Sequence, residues 1–156
     1  MLNKLFTLII IVACIHLVSC DQNGNTKQKS SHKIKESAIH VSDAFVRAMP
    51  PGQKITAAFL KLQNNSNTNM ALISAESNVS EFVELHAHTM VDGMMNMGQV
   101  DEIVIPKNGS VALETGGYHI MMINLKKDLV VGQKVDIKLN FKNGSSLIIH
   151  PEVKKE

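Results

Sequence analysis

Short runs of alternating apolar and polar residues, each closed by a turn cluster, recur from Ala38 almost to the end of the chain. A period of two is the signature of a half-buried strand, so the pattern leaves little room for a helical fold. Ile39, Val41, Ala44 and Val46 alternate ahead of Met49-Pro50-Pro51-Gly52. Residues 56–63 alternate again and run into Asn64-Asn65-Ser66-Asn67, a turn cluster, and residues 70–75 continue the series. Further on, Val83, Leu85 and Ala87 share one face of a strand, with Glu84, His86 and His88 on the other. Residues 103–105 precede the turn Pro106-Lys107-Asn108-Gly109, residues 111–113 follow it, and Gly116-Gly117 opens a strand over 118–125. Residues 135–141 and 147–149 flank Asn143-Gly144, a hairpin pair. There is no amphipathic helical period. The expected fold is an all-β Greek-key sandwich or barrel, a single domain over residues 38–153, with 154–156 as a short tail.

The first residues read as an address. An apolar run from Leu5 to Val18 is about 14 residues long, short of the roughly 20 that a spanning helix needs, and it ends at Leu17-Val18-Ser19-Cys20. A small residue before a cysteine there looks like the lipobox of a bacterial lipoprotein. Residues 1–19 are then a signal peptide, and Cys20 is the lipidated N-terminus of the mature chain. Residues 20–37 carry no hydrophobic period and are rich in Ser, Asn and Lys, as a flexible tether would be. The expected place is the bacterial cell envelope, membrane-anchored and extracytoplasmic. Asp21 after the lipidated cysteine resembles a signal for inner-membrane retention. Cys14 falls in the discarded part, so no thiol is left for a metal or a disulfide, which suits an oxidising compartment.

Chemistry concentrates between Glu84 and Leu125. His119 and Met121 are two residues apart on one strand, so an imidazole and a thioether project side by side. Ile120 and Met122 then face the core, and His119 and Met121 are expected to face outward. His86 lies on the polar face of its strand. Met97 lies in Asp92-Gly93-Met94-Met95-Asn96-Met97-Gly98, read as a loop that bends over the strands. Methionine is usually core filler and a lone histidine is usually no ligand, but an outward His/Met pair is poor filler. Two imidazoles and two thioethers, with neither thiolate nor carboxylate, suit copper and above all Cu(I). The four would form an open, shallow site. His88, Met90, Met94 and Met95 are candidates for transient or auxiliary metal ligands, against the plainer reading that they are loop and surface residues.

The spacing His86, ten residues, Met97, twenty-one residues, His119, one residue, Met121 resembles the ligand motif of the periplasmic PCu(A)C copper chaperone family. The similarity extends through residues 83–88, 92–97 and 116–129, upstream to Arg47-Ala48-Met49-Pro50 and downstream to Lys138-Leu139-Asn140-Phe141, and covers most of residues 39–153. It implies a cupredoxin-like β-barrel that binds one Cu(I) and passes it to the copper sites of cytochrome c oxidase, directly at the copper-site subunit or through another assembly chaperone. The family often has a Trp near the place of Phe45, and a basic residue or a proline where this chain has Gly98-Gln99. Some relatives carry a Met/His-rich C-terminal tail. This chain ends Pro151-Glu152-Val153-Lys154-Lys155-Glu156, so a tail-borne copper site is not expected.

Other classes fit poorly. With 16 Lys and Arg against 14 Asp and Glu, and 4% aromatic residues, nothing points to nucleic acid. A blue-copper carrier wants a cysteine thiolate, and a catalytic zinc usually recruits three histidines or a carboxylate. No catalysis is expected, and a monomer is. Two alternatives stay open: a copper buffer or resistance protein with no dedicated client, and a surface adhesion or scaffold domain whose methionines only pack.

Overall fold

Alternation and turn chemistry build strands almost everywhere the sequence places them. The computed structural model describes residues 38–91 and 93–155, among which there are eleven strands and no helix. The expected leader and the whole of the expected tether, with Cys20 and Asp21, lie outside the described residues. The strands are β1 (Ile39–Arg47), β2 (Ile55–Asn64), β3 (Met70–Ser77), β4 (Ser80–Val91), β5 (Met94–Gln99), β6 (Ile103–Ile105), β7 (Ser110–Leu113), β8 (His119–Leu125), β9 (Ile137–Phe141), β10 (Ser146–Ile149) and β11 (Glu152–Lys154).

They form two sheets. The larger has the order β11-β1-β2-β8-β4-β5, with β7 also pairing with β2, and the smaller has the order β10-β9-β3-β6. The pairings are antiparallel except β11 beside β1, which is parallel. Between the sheets lies one apolar core in which Val46, Leu62, Leu72, Ile103, Ile105, Ile120, Met122, Ile137, Leu139 and Val153 are completely buried. Each such side chain contributes roughly 1.5–3 kcal/mol of burial. The all-β, two-sheet architecture is the one the alternation predicts.

Turns close the strands for local reasons. Asn64 is fully buried at the end of β2. Its Nδ2 donates to the carbonyls of Thr68 (2.8 Å) and Ile105 (3.2 Å), and its Oδ1 accepts from the Ser66 amide and hydroxyl. Gly144, at φ 81°, gives the Asn-Gly hairpin between β9 and β10 the left-handed backbone that such a turn requires.

Three expectations are corrected. The segment around Met97 is the strand β5, paired with β4 along its whole length. Gly93, at φ 76°, lies between them in the left-handed backbone that a tight turn favours. The tail expected from Lys154 is also wrong: Lys154 belongs to β11, whose three residues are too few to show alternation. Finally, β2 does not alternate from Thr56 to Leu60 but is buried on both faces, Phe45 and the Arg47 guanidinium of β1 packing on Phe59.

Candidate metal centre

Register assembles the site. β4 pairs with β8 so that His86 lies directly opposite His119 and Glu84 opposite Met121. On its other side β4 pairs with β5, placing Met97 opposite His88. β8 also pairs with β2, placing Ala57 opposite Met121. Directly paired residues share a face, so His86, His88, Met97, His119 and Met121 all lie on the outer face of three adjacent strands. Their inward neighbours Leu85, Ala87, Ile120 and Met122 are buried in the core.

His119 is not on an open surface as expected. It points outward, yet it is only 4% exposed. The covering is aromatic and cationic: the Phe59 ring lies 6.3 Å from its ring, Phe45 stacks on Phe59 at 5.2 Å, and the Arg47 guanidinium sits 4.8 Å above Phe59. Arg47 Nη2 also donates to Thr115 Oγ1 at 2.9 Å, which steadies it at the rim. Burial pushes the His119 pKa below the ordinary imidazole value, and His88, His86 and Arg47 add to this, against a raising contribution from a backbone hydrogen bond at Gly117. His119 is therefore held neutral, the form in which an imidazole binds metal. Its Nδ1–H donates to the Gly117 carbonyl at 3.1 Å, and since a carbonyl only accepts, the lone pair is left at Nε2.

His86 is engaged differently. Its Nε2–H donates to Glu84 Oε2 at 2.8 Å, so the free lone pair is at Nδ1, which is buried and has no hydrogen-bond partner. A carboxylate on the far nitrogen of a histidine is the arrangement that usually fixes the tautomer of a metal ligand. His88 likewise has a buried Nδ1 without a partner. Buried polar atoms are rarely left so without a reason.

Met97, His119, Met121 and His88 line one cavity of about 290 Å³, together with Arg47, Met49, Thr56, Phe59 and Thr115 among others. His86 is not among the lining residues, although its ring centre is 5.7 Å from that of His119; His88 is closer, at 5.3 Å. Met97 is 45% exposed and closes the outer side. Met90, Met94 and Met95 stand well exposed, further out along β4 and β5. Arg47 and Phe59 were not singled out for the site from sequence. Arg47 falls in a segment that carries the family resemblance, but a strand-end arginine and a strand phenylalanine have no signal of their own. Among the described residues no three His, Cys, Asp or Glu side chains form a group able to hold a metal. A metal here has to draw on the thioethers.

Comparison with known proteins agrees with this architecture. Residues 39–153 match the LpqE-like family, described as "Putative lipoprotein LpqE-like". A curated relative, "Putative lipoprotein Lxx21020" of Leifsonia xyli subsp. xyli, is 32% identical over 117 residues, which is 74% of this chain and 69% of the relative. Among solved structures, the Cu(I)-bound DR1885 of Deinococcus radiodurans is 34% identical over 72% of this chain and 76% of its own, at a TM-score of 0.61. The copper-bound PCuAC domain of PmoF2 covers 76% of this chain and 94% of its own at 20% identity and a TM-score of 0.64, a likeness of fold. The cupredoxin-like fold implied by the motif resemblance is thus the observed one. With the match spanning the whole β-domain, the chain belongs to the LpqE-like lipoprotein family.

Proposed function

We propose that this protein is an extracytoplasmic, lipid-anchored Cu(I) carrier that holds one copper ion at His86, Met97, His119 and Met121 and delivers it to the copper sites of cytochrome c oxidase. The observation that carries the reading is the donor set on the outer face of β4, β5 and β8: two thioethers and two imidazoles, gathered without a thiolate or a group of carboxylates. Thioether sulfur is soft, does not titrate and prefers Cu(I) to harder cations. His119 would bind through Nε2 and His86 through Nδ1, the two lone pairs left free by Gly117 and Glu84. The copper-bound relatives DR1885 and PmoF2 support copper as the cargo.

A carrier must also give its cargo up. Met97 is partly exposed, so an incoming thiolate could displace it first, while the buried His119 holds on longest. The LpqE-like family match and the lipoprotein relative support anchoring in the envelope. In this reading Cys20 is the lipid attachment and Asp21 an inner-membrane retention signal, both read from the sequence.

The test is a Cu(I) titration under anaerobic reducing conditions against a chromophoric chelator, beside a Met97→Ala/Met121→Ala variant. One tightly held Cu(I), weakened at least about tenfold in the variant, a loss of roughly 1.4 kcal/mol, supports the reading. Equal affinity in both proteins would sink the four-ligand site. Loss of oxidase activity on deletion, restored by added copper, would separate a dedicated carrier from a buffer.

A further inference from the structure

Beyond the cavity, the hairpin of β4 and β5 carries a second group of soft donors on the same face. Met90 lies directly opposite Met95, and the next pair on that face is His88 opposite Met97. The two pairs are about 7 Å apart along the ribbon, within reach of long side chains. Met90 and Met95 are each 66% exposed, so two thioethers stand side by side in solvent where packing does not require them. His88, between them and the cavity, has a buried Nδ1 with no partner. Met94 is the internal contrast: it is 71% exposed but opposes Val91, on the other face of the ribbon.

We infer that the β4–β5 ribbon holds a second, weaker Cu(I) site formed by the thioethers of Met90 and Met95 with the imidazole of His88, adjoining the Met97 edge of the cavity. The inference rests on the Cu(I) reading above and deepens it, because the ribbon becomes the track along which copper enters and leaves. An exposed pair of thioethers collects Cu(I) with little loss of hydration, and His88 faces both stations. Transfer between them is an exchange of neutral ligands around an ion that stays Cu(I), so no electron or proton needs to be supplied. A purely adhesive Met-rich surface would not require the pairing in register, nor the orphaned imidazole nitrogen beside it.

The experiment is a titration of the intact chain, labelled with carbon-13 at the methionine ε-methyl groups, with Cu(I) supplied anaerobically as its acetonitrile complex. Met97 and Met121 should shift within the first equivalent, and Met90 and Met95 within the second, at an affinity at least tenfold lower, with Met94 unmoved. Met90→Leu/Met95→Leu keeps the bulk of two exposed residues and removes both sulfurs. It should abolish the second event and change the first by less than twofold. Three results would overturn the inference: no shift of Met90 and Met95 through the second equivalent, shifts of Met94 as large as theirs, or a second event that survives in the double variant. Failure of the first site appears separately, as Met97 and Met121 that never move.

Discussion

Met121 and Met122 are neighbours in sequence and opposites in use. Met122 points between the sheets and is completely buried among Leu, Ile and Val, whereas Met121 points outward into a cavity with His119 and Met97. The same thioether is packing on one face and donor on the other. What separates the roles is the company that strand pairing supplies. The inner face of β8 meets a second apolar sheet. The outer face is flanked by β2 and β4, with β5 beyond β4, and the outward residues of these strands include His86, His88, Met97 and Phe59.

The largest expected effect tests the inner half of that contrast. Met122→Ala should lose about 2–5 kcal/mol of stability, because it removes a buried side chain and leaves a cavity. Urea melts measure this loss, and the fraction that remains folded should bind Cu(I) as before. Next in size is Met121→Leu, which keeps the volume and deletes the sulfur. Cu(I) affinity should drop at least about tenfold, while stability moves by less than roughly 1.5 kcal/mol. If both substitutions changed stability and affinity alike, the two faces would not be distinct in function.

Gly93→Ala is smaller. Gly93 has open space around its Cα but sits at φ 76°, so an added Cβ costs about 1 kcal/mol through backbone strain alone. Amide exchange should quicken in β5 and stay unchanged in β9, far from the turn. The smallest effect is one of pH. Because burial lowers the His119 pKa from 6.5, the unfolded chain takes up a proton in mild acid that the folded chain refuses. Stability associated with this group is complete above about pH 6.5 and declines as the pH falls toward the depressed folded value. His119→Gln should flatten that part of the stability–pH curve. For the same reason, proton competition for Cu(I) at His119 should begin at lower pH than at an ordinary imidazole.

Much of the fold was legible because alternation is a local property. Ile120 and Met122 against His119 and Met121, and Leu85 and Ala87 against Glu84, His86 and His88, sort correctly by counting in twos. Where the reading failed, the cause was also physical. The Asp92-Gly93 pair is a hairpin signal, but the methionines after it show no alternation, since Met94, Met95 and Met97 are all exposed, and the strand read as a loop. β11 is three residues long and depends on its parallel pairing with β1. The outward direction of His119 was correct and its exposure was not, because Phe59 reaches it from β2, backed by Phe45 and Arg47 of β1.

The sequence by itself determined which side of each strand is apolar, where the turns fall, and which residue types carry soft donor atoms. Those follow from backbone geometry with a period of two and from side-chain chemistry, neither of which needs a partner strand. Tertiary structure alone decided that β8 lies between β2 and β4, that His86 faces His119 and Met97 faces His88, that His119 is buried and neutral, and that Glu84 and Gly117 each leave one imidazole nitrogen free. Strand order and register join residues distant in the chain, and burial depends on what such pairing brings alongside.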